Sequence, residues 1–155
     1  MKSVSEATNN PVPYAIAEII KVVAMSRITD TYGPIPYSKI GADGKITIPY
    51  DSQEDVYNKF FEELNQAIEI LTENSGSALV ATADYVYSGN VAKWIKFANS
   101  LKLRLAIRVA YANKTLAQEM AESAVKHEFG VIESNADNAK WNYFGTIPNP
   151  LYTAV

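Results

Sequence analysis

The sequence ITDTYGPIPY, residues 28–37, follows an apolar helical run that starts near Pro13. A proline fixes its own φ angle and lacks a backbone donor, so no regular helix passes through Pro34 or Pro36. The residue before each proline is pushed toward extended geometry. The stretch therefore predicts a helix that ends before residues 30–37 and a loop of defined shape after it.

Apolar residues recur every three to four positions in four segments, which is the spacing of one helix face. Asp51 or Ser52 can cap the second segment and Asn90 the third, because short polar side chains bond the free N–H groups of a first helical turn. Apolar residues nearly encircle the third segment, which predicts a central, buried helix. The predicted helices run from about Pro13 to Ile28, from about residue 52 to 73, from 91 to about 109 and from Thr115 to about His127.

Most of the remaining chain is predicted to form loops. Residues 1–11 are polar and are expected to be frayed, and residues 46–48 form a possible short strand. The expected fold class is all-α, with irregular helical hairpins, ordered loops and at most a minimal strand pair.

Two of the predicted helices carry opposite charge. Residues 51–73 contain seven carboxylates and one lysine, whereas residues 85–118 contain six basic residues and no acidic one. Two adjacent antiparallel helices would neutralise each other in this way; alternatively, the basic stripe would meet an anionic ligand. Arg104 and Arg108 are predicted to form structural ion pairs, because a buried arginine needs a partner.

Composition excludes several classes of protein. The net charge of −3 over 155 residues does not indicate a general nucleic-acid binder. The absence of cysteine rules out disulfides, thiol catalysis and thiolate metal sites. The N-terminus has no signal-peptide pattern, and no uninterrupted apolar stretch is long enough to span a bilayer.

No catalytic or cofactor motif is present. His127 is the one histidine, so no histidine-based metal pattern can be built, and it is expected to be an ordinary residue near a helix C-terminus. The patterns HExxH, GxSxG, GxGxxG and the Walker loop do not occur. The sequence therefore predicts no enzyme, no cofactor and no metal site.

Aromatic residues are the candidates for ligand binding. Trp141 and Tyr143 follow a polar loop, where exposed rings can stack on the apolar faces of sugars; the alternative is that they fasten the final loop to the helices. Tyr32 and Tyr37 are further candidates, although the surrounding prolines favour a structural role for both. Trp94 has helical spacing with apolar residues and is predicted to be in the core.

Three ordered blocks resemble the SusD/RagB family. Asp30, Tyr32-Gly33-Pro34 and Ile35-Pro36-Tyr37 are similar to its D-x-Y-G-x-I-P-Y signature, and residues 50–57 are similar to the start of its next helix. The most specific match is DYVYSGN at residues 84–90, followed by KWIKFANSLKLRLAIR at residues 93–108. The resemblance runs from about residue 14 to the end of the chain.

The resemblance implies TPR-like helical pairs, although the chain lacks the strict self-similarity of a regular tetratricopeptide (TPR) array. It also implies a surface lipoprotein of the Bacteroidetes outer membrane that binds a glycan or peptide and passes it to a SusC-like TonB-dependent transporter. Such proteins attach to the membrane through a lipidated N-terminal cysteine that this chain lacks, and they are much longer. Residues 1–155 are therefore expected to be a single partial domain, truncated at both ends. The alternative function is a TPR-like adaptor for protein–protein interaction.

Overall fold

The structure, a computed structural model, describes residues 2–41, 47–77 and 79–141. Within these residues five α-helices occur, with short 3₁₀ turns at Ala81–Ala83 and Asn135–Asp137. The same residues contain no strand, only an isolated bridge between Ile35 and Asp51, so the all-α prediction is confirmed. The helices are α1 (Lys2–Thr8), α2 (Val12–Tyr32), α3 (Gln53–Glu73), α4 (Val91–Val109) and α5 (Lys114–Lys126).

Consecutive long helices pack side by side. α2 lies on α3, α3 on α4 and α4 on α5, which gives the TPR-like arrangement and places α4 between two neighbours. Trp94 is only 3% exposed, so its predicted core position is confirmed. Burial of large apolar side chains, each worth about 1.5–3 kcal/mol, holds the helices together. The most deeply buried of these are Ile19, Val22, Val56, Phe60, Leu64, Leu71, Ile95 and Leu105.

α2 continues beyond its predicted end. The helix includes Asp30 and Tyr32 and stops at Gly33, whose N–H donates to the carbonyl of Thr29 at 2.8 Å. Gly33 has a φ of +76°, which glycine adopts without the penalty of a side chain. Pro34 then prevents a further turn. The last helical residue is therefore Tyr32, two positions before Pro34.

The loop between α2 and α3 is tied down by a carboxylate. Asp51 accepts hydrogen bonds from the N–H groups of Tyr37 at 2.9 Å and Ser38 at 2.6 Å. Ser52, rather than Asp51, caps α3 by accepting the N–H of Asp55 at 3.1 Å. In the predicted strand, Ile46 lies outside the described residues, and residues 47 and 48 are not in a strand.

Two helix starts differ from the prediction. Residues 2–8 form α1 where fraying was expected; the turn to α2 uses Asn9 at a φ of +49°. Asparagine tolerates this conformation better than most residues. α5 begins at Lys114 rather than Thr115, because the side chain of Asn113 accepts the N–H of Leu116 at 3.1 Å.

The predicted charge pairing between α3 and α4 is wrong. Among the described residues no ion pair joins these two helices. Glu63 of α3 instead binds Lys21 of α2 at 2.9 Å, and Arg108 of α4 binds Asp30 of α2 at 2.8 Å. α3 and α4 meet mainly through apolar residues, and the Lys102 ammonium of α4 donates to the side chain of Asn65 on α3 at 3.1 Å.

Candidate functional site

The loop before α4 is built around one buried carboxylate. Asp84 accepts the N–H groups of Val86 and Tyr87 on one oxygen, at 3.0 and 3.1 Å. Its other oxygen accepts the N–H of Gly89 at 2.9 Å and the indole Nε1–H of Trp94 at 2.8 Å. Burial alone would raise the pKa of the Asp84 carboxyl, but the hydrogen bonds, led by that from Trp94, hold it below its ordinary value. One side chain therefore fixes the shape of the loop.

A second set of contacts joins this loop to the segment that leads to Trp141. The hydroxyl of Tyr87 donates to the carbonyl of Asp137 at 2.8 Å, and burial, with the nearby carboxylates of Asp137 and Asp84, raises the pKa of Tyr87 to about 12. Lys96 of α4 forms an ion pair with the Asp137 carboxylate at 3.0 Å. The two loops are thus fastened to each other and to α4.

Tyr85 and Trp141 form an aromatic pair where these two loops meet. Their ring centroids are 5.4 Å apart and their planes are tilted by 31°. Trp141 is 60% exposed and Tyr85 is 38% exposed. Both line a cleft of about 400 Å³, called the aromatic cleft below, which falls in the size range of ligand pockets. Its other walls are mainly apolar and include Pro13, Ile16, Ala17, Ile20, Leu79, Val86 and Trp94.

A second cleft, of about 490 Å³, lies where α2 and α4 end and α3 and α5 begin; it is called the polar cleft below. Three of its lining residues form a network: Asp30 accepts the Tyr57 hydroxyl at 2.6 Å and the Arg108 guanidinium at 2.8 Å. Burial, reinforced by the bond to Asp30, raises the pKa of Tyr57, so its phenol stays protonated. Each residue of the network comes from a different one of the three sequence blocks noted above.

The four aromatic candidates from the sequence fall in different environments. Trp141 lines the aromatic cleft, whereas Tyr143 lies outside the described residues. Tyr32 is 76% exposed and lines neither cleft. Tyr37 is buried edge-on against Phe60, with ring centroids 5.2 Å apart, and its hydroxyl donates to the Glu63 carboxylate. Tyr37 therefore packs in the core, in line with the structural role that its neighbouring prolines favour.

Arg104 and Arg108 were expected to be buried, but both are exposed. Arg108 does form an ion pair, with Asp30 at 2.8 Å, whereas Arg104 has no ion pair with any described residue. The buried base is Lys102, only 4% exposed, whose ammonium donates to the side chain of Asn65 at 3.1 Å. Burial lowers the pKa of Lys102. Lys102 is four residues after Ala98 and three before Leu105, both of which are buried, and this helical spacing could have predicted that Lys102 is buried too.

Replacing Lys102 by methionine is expected to raise the free energy of unfolding by about 1–2 kcal/mol at pH 7, because a charge buried without a carboxylate partner is costly. The lowered pKa means that the folded state disfavours the charged form. The penalty is therefore fully present at neutral pH and disappears as the pH rises above the unfolded-state pKa of about 10.4. Urea denaturation of both proteins at pH 7 and near pH 10.5 measures this difference. A variant that is less stable than the wild type at pH 7 would contradict it.

His127 is the C-cap residue that follows α5, and its Nε2 atom lies 3.4 Å from the hydroxyl of Thr72. Burial lowers the pKa of His127, and the positive charge of Lys102 lowers it further.

In the part of the chain that the structure describes, no group of three or more His, Cys, Asp or Glu side chains is placed to hold a metal ion. No described helix combines the length and apolar character needed to cross a membrane.

The whole chain, residues 1–155, matches the family "SusD-like: Susd and RagB outer membrane lipoprotein". The chain belongs to the SusD-like family. Each of the three separated SusD-like sequence blocks contributes one residue to the hydrogen-bonded network of Asp30, Tyr57 and Arg108. No curated protein matches the chain at a significant level.

Solved SusD-like structures share this fold. A SusD homologue from Bacteroides uniformis superposes with a TM-score of 0.93 at 75% identity, over 99% of this chain and 32% of that one. A chitin-binding SusD homologue from Flavobacterium johnsoniae gives a TM-score of 0.82 at 39% identity, over 89% of this chain and 30% of that one. A SusD-like protein from Bacteroides thetaiotaomicron gives a TM-score of 0.79 at 37% identity, over 88% of this chain and 28% of that one. This SusD-like chain thus spans about a third of the length of these relatives.

Proposed function

We propose that the protein binds a glycan at the outer-membrane surface and that Tyr85 and Trp141 contact it in the aromatic cleft. The observation that carries this proposal is the exposed, tilted pair of rings at 5.4 Å. The family description as an outer membrane lipoprotein and the chitin-binding relative support the setting and the ligand class.

The chemistry of the aromatic cleft suits a sugar. A pyranose ring presents an apolar C–H face, and an aromatic ring is a large, rigid apolar surface on which that face can stack. The contacts of Asp84 and Asp137 hold the two loops in place before ligand arrives. Binding to a pre-organised surface loses less conformational entropy than binding to a mobile one.

The proposed role extends to transport. A lipid anchor would hold the protein at the outer membrane, and a SusC-like TonB-dependent transporter would receive the glycan, as the family resemblance implies. The protein would carry out no chemical step. Deleting the gene should slow growth on the cognate glycan, and sustained hydrolysis of that glycan by the purified protein would overturn the non-catalytic role.

Replacing Trp141 by alanine is expected to weaken glycan binding about thirtyfold, the equivalent of about 2 kcal/mol for loss of a central aromatic contact. Calorimetric titration with chitohexaose, maltohexaose and cellohexaose measures the effect. Trp141 is mostly exposed, so the melting temperature of the variant should be unchanged.

Tyr32→Ala is the matched control, because Tyr32 is an exposed aromatic residue that lines neither cleft. It should leave affinity within about twofold of the wild type. Unchanged affinity in Trp141→Ala would exclude the aromatic cleft as the site. Failure of the wild type to bind any of these glycans would overturn the proposed function and favour the adaptor alternative.

A further inference from the structure

We infer that the polar cleft is a second saccharide subsite, which takes an uncharged pyranose residue. The inference rests on the proposed glycan-binding function but concerns a different part of the molecule. Pro13 of the aromatic cleft and Asp30 of the polar cleft lie on α2 roughly 25 Å apart, at about 1.5 Å per residue of helix. The two clefts therefore bind sugar residues at opposite ends of the helical layer.

The charges around the polar cleft favour a neutral ligand. The guanidinium of Arg108 is neutralised by Asp30 at 2.8 Å, and Asp30 also accepts the Tyr57 hydroxyl. Among the lining residues, Glu54 is the remaining charged side chain, and no ion pair with a described residue involves it. A phosphate or carboxylate ligand would meet this carboxylate, whereas a sugar hydroxyl can donate to it.

The uncharged lining groups both donate and accept hydrogen bonds. No described residue bonds the side-chain amide of Asn58, which offers one acceptor and two donors. Gln53 uses its Nε2 to donate to Thr29 at 2.9 Å, which leaves its side-chain oxygen as an acceptor. Asn113 uses its Oδ1 to cap α5, which leaves its NH₂ group as a donor. Hydroxyl groups, which donate and accept at the same atom, match this mixture.

The polar cleft also has apolar lining residues. They are Val109 at the end of α4, Ala112 in the turn after it and Leu116 in the first turn of α5. A pyranose is likewise mixed, since its ring C–H groups form an apolar face and its hydroxyls project from the edge. The volume of about 490 Å³ lies within the range of small-molecule sites.

Two substitutions test the polar cleft without removing a residue of the Asp30 network. Ala112→Trp fills it with a bulky side chain, and Asn58→Ala removes a hydrogen-bonding amide while improving helix propensity. Gln66→Ala is the control, because Gln66 is an exposed amide on the same helix outside the cleft. Thermal melting of each variant establishes that the fold is retained.

Binding of chitohexaose, maltohexaose and cellohexaose is measured by calorimetry in the wild type, in Trp141→Ala, and in each of these variants alone and combined with Trp141→Ala. In the Trp141→Ala background, Ala112→Trp is expected to abolish the remaining binding and Asn58→Ala to weaken it about fivefold, as for loss of one or two hydrogen bonds. Gln66→Ala should change nothing.

The outcomes separate this inference from the proposed function. If Ala112→Trp and Asn58→Ala bind as the wild type does while Trp141→Ala fails, the second subsite is overturned and the aromatic cleft stands. If the two polar-cleft variants fail while Trp141→Ala binds normally, the polar cleft is the sugar site and the aromatic cleft is not. Failure of the wild type with every probe overturns both.

Discussion

Replacing Asp84 by alanine is expected to lower the free energy of unfolding by about 4 kcal/mol, because four donors lose a charged, buried acceptor at once. Trp94, which supplies the indole donor, is only 3% exposed, so water cannot readily replace its partner. The N–H groups of Tyr87 and Gly89 are buried as well, and only that of Val86 is partly accessible to solvent. Urea denaturation followed by circular dichroism measures the loss.

The pH dependence gives a second readout. The pKa of Asp84 is lowered in the folded state, so its stabilisation is present above the unfolded-state pKa of about 3.9 and is lost as the pH falls through the folded-state value. The difference in free energy of unfolding between the wild type and Asp84→Ala should therefore become smaller as the pH falls into the acid range. Glu69→Ala removes an exposed helical carboxylate and should stay within about 0.5 kcal/mol of the wild type. A loss below about 1 kcal/mol in Asp84→Ala would contradict the central role of this carboxylate.

Gly89→Ala is expected to lower the free energy of unfolding by about 3 kcal/mol or more, for two independent reasons. Gly89 has a φ of +85°, a conformation that residues with a side chain rarely adopt. A Cβ atom at this position would lie 2.4 Å from the backbone oxygen of Leu79, so the backbone itself would have to move. Leu79 lines the aromatic cleft and Gly89 donates to Asp84, so the same substitution should also weaken glycan binding.

Gly76→Ala is the matched control for this substitution. Its Cβ would meet no atom within 4 Å and its φ is not in the left-handed region, so the change should be neutral or stabilising by up to about 1 kcal/mol. Thermal denaturation of both variants gives the comparison. Equal stability of Gly89→Ala and Gly76→Ala would show that the close approach of residues 79 and 89 does not constrain the protein.

Local sequence patterns predicted the features that depend on residues close together in the chain, namely helices, a helix cap and a loop. Periodic apolar residues gave the four long helices, and Asn90 was correctly predicted to cap α4, where it accepts the N–H of Lys93 at 3.1 Å. The prolines indicated the loop after α2. They did not locate the end of that helix, because Gly33 can terminate a helix one residue before Pro34.

Contacts between distant residues were not predictable from these patterns. Asp30 binds a tyrosine on α3 and an arginine on α4, and nothing in the spacing of the three residues reveals that they meet. The partner of Tyr85 is similarly remote: Trp141 was a candidate as an exposed loop aromatic, but its neighbour was not identified. Asp84 was part of a recognised motif, yet its four donors became evident only from the folded loop.

Direct contact between Trp141 and the glycan can be measured by acrylamide quenching of tryptophan fluorescence. The chain has two tryptophans, and Trp94 is only 3% exposed, so quenching reports on Trp141, which is 60% exposed. Saturation with a glycan that calorimetry shows to bind is predicted to protect Trp141 and reduce quenching strongly. Quenching that stays unchanged at saturation would contradict the claim and place the glycan elsewhere on the protein.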